Sequence, residues 1–126
     1  ETALDVVCYA VHIAAQLGAH IIKAKPPTSH LAFPESAETY ANVPTDTLAD
    51  RIRLVMRSAF DGKRIVINSG GVTRSRQDVI DEVTGLAQGG SHGSIVGRNA
   101  FRRPWDEAVS LLHDIQDTFG DTNATT

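Results

Sequence analysis

Three short apolar runs, HIIKAK at 20–25, RIVINSGG at 64–71 and GSIVGRN at 93–99, alternate with segments whose apolar residues recur every three or four positions. The first spacing suits a buried strand and the second the stripe of an amphipathic helix. Residues 2–17 carry such a stripe at Leu4, Val7, Val11 and Ala14, with Gly18 where a helix cap belongs. A second helix starts at Thr47, whose spacing to Asp50 is that of a capping box. It carries Leu48, Ile52, Val55 and Ala59 and ends at Asp61 and Gly62. Ser75 and Asp78 open a third, with Val79, Ile80, Val83 and Leu86, which closes at Gly89 and Gly90. Pro104 opens a fourth, carrying Trp105, Val109, Leu112 and Phe119 before a polar, frayed tail.

Strands that alternate with helices imply an α/β fold with a parallel sheet, in which all three strand C-termini lie along one edge. Lys23, Ser69 and Arg98 converge on that edge. Between Pro26 and Asp46 the chain has no period, and a loop of this length in a compact domain is expected to be a lid or binding loop. At 126 residues and 41% apolar composition the chain is the size of one domain with a core.

The strand ends carry the chemistry. Ile21, Lys23 and Lys25 share one face of the first strand because side chains alternate along it. A lysine pointing inward from a buried strand is desolvated, and a second ammonium two residues away disfavours its charge further. The neutral amine that results is a nucleophile able to form an imine with a carbonyl. The alternative is that these lysines snorkel from the strand end, or that one pairs with a carboxylate such as Glu35. In NSGG, Ser69, Gly70 and Gly71 offer a hydroxyl and bare backbone amides to a phosphate, and Gly97 and Arg98 offer another amide and a guanidinium. Each stretch is alternatively an ordinary glycine turn.

A net charge of −3 without a basic stripe argues against nucleic acid and for a small anionic ligand held by local cations. The single cysteine, Cys8, reads as a packed core residue and a cytoplasmic setting is expected. No apolar run approaches the roughly 18 residues of a membrane span, so no membrane partner is expected. His12, His20, His30 and His113 share no metal-ligand spacing with one another or with Cys8, so no metal site is expected; no cofactor is expected either. His92 reads as part of a turn at the opposite end of the sheet. Arg102 and Arg103 read as a solvated approach to the last helix, with contact of one to a second phosphate as the alternative; Tyr9 and Tyr40 are candidate acids, of which Tyr9 reads as packing, and the sequon at Asn123 to Thr125 reads as chance.

Taken in order, LGAHIIKAK, INSGG, QGGSHGSIVGRNAFRR and LLHDIQDTF resemble the C-terminal portion of class I fructose-bisphosphate aldolases of the bacterial and archaeal type. The resemblance covers nearly the whole chain; the 26–46 loop departs from it most. It implies a parallel (β/α)8 TIM barrel, of which residues 1–126 are the C-terminal part, about strands six to eight with a preceding helix. Lys23 is then the Schiff-base lysine, Lys25 lines the pocket and keeps it deprotonated, and Ser69, Gly70, Gly71, Gly97 and Arg98 bind phosphate. The expected reaction is reversible cleavage of fructose 1,6-bisphosphate, a phosphorylated sugar, and the expected assembly is a homo-oligomer. The family's first five strands and proton donor are absent from this chain, so it reads as part of a longer enzyme, inactive alone. Three parallel strands cannot close a barrel. A related lysine-dependent aldol synthase or transferase, or a non-catalytic phosphate-binding fragment, are the alternatives.

Overall fold

The computed structural model describes residues 1–70 and 72–123, the last two by backbone alone. Its elements run α1 (Leu4–Gln16), β1 (Ile21–Ala24), α2 (Ser36–Tyr40), α3 (Leu48–Ser58), β2 (Ile65–Ser69), α4 (Arg76–Gln88), β3 (Gly93–Ile95), α5 (Arg98–Phe101) and α6 (Trp105–Asn123). The three strands form one parallel sheet in the order β1-β2-β3. Lys23 lies opposite Ile67, Ala24 opposite Asn68, and Ser69 opposite Ile95.

Local sequence accounts for most boundaries. Gly18 takes a φ of 95° and the Gly18 and Ala19 N–H groups donate to the Ala15 and Ala14 carbonyls, so the chain leaves α1 through a Schellman turn. Both capping boxes form: Thr47 and Asp50 at α3, Ser75 and Asp78 at α4, each side chain accepting from the other's backbone N–H. Helix α3 stops at Ser58, a little before Asp61 and Gly62, and a turn of positive φ at Phe60, Asp61 and Gly62 leads into β2.

One face of the sheet is closed. Ile22, Ala24 and Val66 pack beneath α1 and α3 with Leu4, Val7, Val11, Ile52, Val55, Ala59 and Leu86. Helix α4 meets α3 so closely that a Cβ on Gly89 would overlap Ile52 and come within 2.8 Å of the Ala49 carbonyl oxygen. Asn68 is fully buried on this face, where its amide donates to the Ala24 carbonyl at 3.2 Å and accepts from the Ser91 hydroxyl at 2.7 Å. His92 adds to the same seam by accepting the Val66 N–H. A smaller cluster of Val79, Val83, Leu111 and Ile115 joins α4 to α6.

Three expectations are corrected. The buried stripe of α6 is Leu111 and Ile115, whereas Trp105 is 81% exposed and Leu112 39%. The 3.6-residue period fixes a stripe only to within one position when apolar residues are adjacent, and packing on α4 selects Leu111. The helix also continues through Gly120 to Asn123, so the tail is not frayed there; the sequon reaches beyond the described residues. The 26–46 segment contains the short exposed helix α2 and is tied to the body at several points. Arg51 donates to the carbonyls of Pro27, Thr45 and Asp46 and so closes the two ends of the segment.

Asp5 holds the middle of that segment. Its buried carboxylate accepts the N–H groups of Ala32 and Phe33 at 2.9 Å each. Burial opposes its charge more than any other single influence, but those two N–H groups, the Ser36 hydroxyl and the Val6 N–H together outweigh it and hold the carboxyl at about 2. Among the described residues no helix is long and apolar enough to cross a membrane.

Candidate active site

The C-terminal ends of β1, β2 and β3 open on a cleft of about 270 Å³. Lys23, Ser69, Gly70, Gly97 and Arg98 all line it, with Glu82 of α4 and Asn99 of α5. Parallel pairing produces this meeting, because it places all three strand ends at one edge of the sheet. Gly71 lies outside the described residues. No residue of 26–46 lines this cleft; Pro26 borders a neighbouring hollow.

Lys23 is not buried, contrary to expectation. It stands on the open face of the sheet, with Ile21 60% exposed and Ile65 and Ile95 44% each. Alternation correctly put Ile21, Lys23 and Lys25 together, but the helices cover the Ile22 and Ala24 side.

Lys25 follows the end of β1 and does not border the 270 Å³ cleft. It borders the adjoining hollow of about 340 Å³ with Ser69, Gly70, Arg74 and Glu82. Its ammonium pairs with the Glu1 carboxylate, not with Glu35, and that hydrogen bond and charge hold Glu1 below the usual carboxylate range.

Several residues around the cleft escaped the sequence reading. Glu82 accepts from the Arg74 guanidinium at 2.7 Å, and this pair abuts the Ser69–Gly70 turn: a Cβ on Gly70 would lie 3.1 Å from Glu82 and 3.3 Å from Arg74. Asn99 is buried rather than merely following a glycine turn. Arg103 is half-buried rather than fully solvated as expected, and donates to the carbonyls of Asn99 and Arg74. The i, i+8 spacing of Arg74 and Glu82 was the only cue, and it is not one of the intrahelical pairing distances.

Cys8 is buried, and that burial pushes its thiol up. No group of three or more His, Cys, Asp or Glu side chains among the described residues is placed to hold a metal ion.

Parallel strands, each followed by helical structure, with a polar cleft at the C-terminal edge, are part of a (β/α) barrel. The chain belongs to the DeoC/LacD family of aldolases, whose profile it matches over residues 1–103. It is 36% identical over 131 residues to a probable fructose-bisphosphate aldolase class 1 of Chlamydia trachomatis serovar D, covering 96% of this chain and 37% of that protein. A fructose-bisphosphate aldolase class 1 of Thermoproteus tenax is 27% identical over 103 residues, 82% of this chain and 32% of the relative. The crystal structure of an archaeal fructose 1,6-bisphosphate aldolase superposes with a TM-score of 0.67 at 27% identity, over 94% of this chain and 38% of that one. The chain thus spans roughly a third of the length of these proteins.

Proposed function

We propose that this chain supplies the imine-forming lysine and the phosphate cradle of a class I fructose-bisphosphate aldolase. The observation that carries the reading is the joint lining of one cleft by Lys23, Ser69, Gly70, Gly97 and Arg98. Lys23 Nζ attacks the C2 ketone of fructose 1,6-bisphosphate and water leaves to give an iminium. The C4 hydroxyl gives its proton to a general base and its oxygen forms the aldehyde carbonyl, while the iminium takes up the electron pair of the breaking C3–C4 bond, releasing glyceraldehyde 3-phosphate and leaving an enamine. Protonation at C3 and hydrolysis then return the lysine and release dihydroxyacetone phosphate. Hydroxyl, amides and guanidinium lining the same cleft fix the phosphate, and such orientation is worth roughly 7–11 kcal/mol in favourable cases.

The reaction needs Lys23 uncharged, and covering the open face with further strands of a barrel would desolvate it. Lys25 contributes positive charge beside the cleft when its pairing with Glu1 is released. The exposure of Lys23 favours a second reading for the 126 residues by themselves, a phosphate-binding unit without turnover. A sibling enzyme using the same lysine on another phosphorylated sugar differs only in the sugar.

Borohydride reduction in the presence of dihydroxyacetone phosphate separates these readings. A reduced adduct mapped to Lys23 by mass spectrometry, and lost in Lys23→Met, supports imine chemistry. Phosphate-dependent stabilisation without an adduct supports the binding unit, and an adduct on Lys25 exchanges the roles of the two lysines.

A further inference from the structure

We infer that Asn99 and Arg103 are positioning residues that bridge the loops after β2 and β3, fixing the two halves of the anion cradle relative to each other. The inference rests on the phosphate reading of Ser69, Gly70, Gly97 and Arg98.

The Asn99 side chain is 7% exposed and has one task for each end of its amide. Its Oδ1 accepts the Arg74 N–H at 2.8 Å and its Nδ2 donates to the Val72 carbonyl at 3.0 Å. A side-chain amide thus pairs with the loop backbone as a neighbouring strand would, and only Asn or Gln carries both a donor and an acceptor in this form. Arg103 adds a second tie. Its Nε donates to the Asn99 carbonyl at 2.6 Å and its Nη2 to the Arg74 carbonyl at 2.7 Å.

Arg74 is consequently held by its backbone on the α5 side and by its guanidinium on Glu82. That guanidinium and the Glu82 carboxylate abut Gly70. A connected set of contacts therefore runs from the Gly97–Asn99 turn, through Asn99, Arg103 and Arg74, to the turn at Ser69 and Gly70. Strand pairing fixes where the two turns begin, Ser69 lying opposite Ile95, and the bridge fixes the loop residues beyond those strand ends, whose separation an anion gripped by both turns needs constant. Displacement of a binding group by about 1 Å costs up to about a hundredfold in favourable geometries. The bridge supplies the rigidity, and neither Asn99 nor Arg103 has to touch the anion to do so.

The test measures inorganic phosphate affinity by isothermal titration in the parent protein, Asn99→Asp, Asn99→Ala and Arg103→Lys. Asn99→Asp keeps the shape but loses the donor to Val72, and Arg103→Lys keeps the charge but not the two-carbonyl geometry. Each is expected to weaken phosphate about tenfold. Ser69→Ala and Arg98→Ala are expected to be non-additive in the parent and additive in the Asn99→Asp background, a change that simple loss of stability does not produce. Amide exchange at residues 72–75 is expected to accelerate in Asn99→Asp while the core amides keep their protection. Parent-like phosphate affinity in Asn99→Asp and Arg103→Lys, or persistent non-additivity, overturns the inference while the cradle reading stands. A parent protein that binds no phosphate overturns the cradle reading and the role of Asn99 with it; accelerated exchange would then show a bridge that serves the fold alone.

Discussion

The two faces of the three-stranded sheet are built from adjacent residues of the same strands and have opposite fates. On one, Ile22, Ala24, Val66 and Asn68 lie beneath α1 and α3 with little or no exposure. On the other, Ile21, Lys23, Ile65 and Ile95 stand open. Both faces are largely apolar, which is the composition of a parallel sheet meant to be covered on both sides. The closed face holds the fold together and the open one carries the lysine. A buried face and an exposed one are thus separated by the one-residue alternation of a strand.

That contrast is open to challenge by mutation. Ile52→Ala, beneath the closed face, is expected to cost about 2–5 kcal/mol in urea denaturation, since it empties a fully buried site. Asp5→Asn is expected to cost about 2 kcal/mol, because the carboxyl at about 2 lies well below its ordinary 3.8. The sign follows from that depression: the contribution of Asp5 is complete above about pH 4 and is lost as the pH falls towards 2. Denaturation midpoints measured across pH 2–6 should show this slope in the parent and a shallower one in Asp5→Asn. Gly89→Ala is expected to cost about 1–3 kcal/mol, as the new methyl would collide with Ile52.

Ile65→Ala, one residue from Val66 but on the open face, is expected to change stability by no more than about 0.5 kcal/mol. A loss there as large as that of Ile52→Ala would show that something covers the open face in solution, such as a second copy of the chain or further strands. Lys23→Met is likewise expected to leave the denaturation midpoint close to that of the parent while removing borohydride trapping.

Legibility in the sequence followed the range of the interaction. The capping boxes at Thr47 and Asp50 and at Ser75 and Asp78 span three residues, and both were readable from the residues alone. So were the three strands, because a short apolar run needs only its own members and its flanking turns. Helices α2 and α5, of five and four residues, are too short to show a period. The stripe of α6 was misplaced by the choice between Leu111 and Leu112, which the partner helix makes and the helix itself does not.

The cleft divides in the same way. Lys23, Ser69, Gly70, Gly97 and Arg98 announced themselves by type and position at strand ends. Glu82, Asn99, Arg103 and the buried Asp5 did not, because their partners lie 8 to 29 residues away along the chain or their role is to hold backbone rather than ligand.

The amino-acid order by itself determined the alternation of strands and helices, the helix starts, and the set of residues gathered at one edge of a parallel sheet. Each depends on neighbours within a turn or on the two-residue period of a strand. Tertiary structure alone decided which sheet face the helices cover, and so left Lys23 in the open, and it alone joined Asn99 to the loop after β2. Both outcomes depend on packing and hydrogen bonding between segments distant in sequence, for which no local pattern exists.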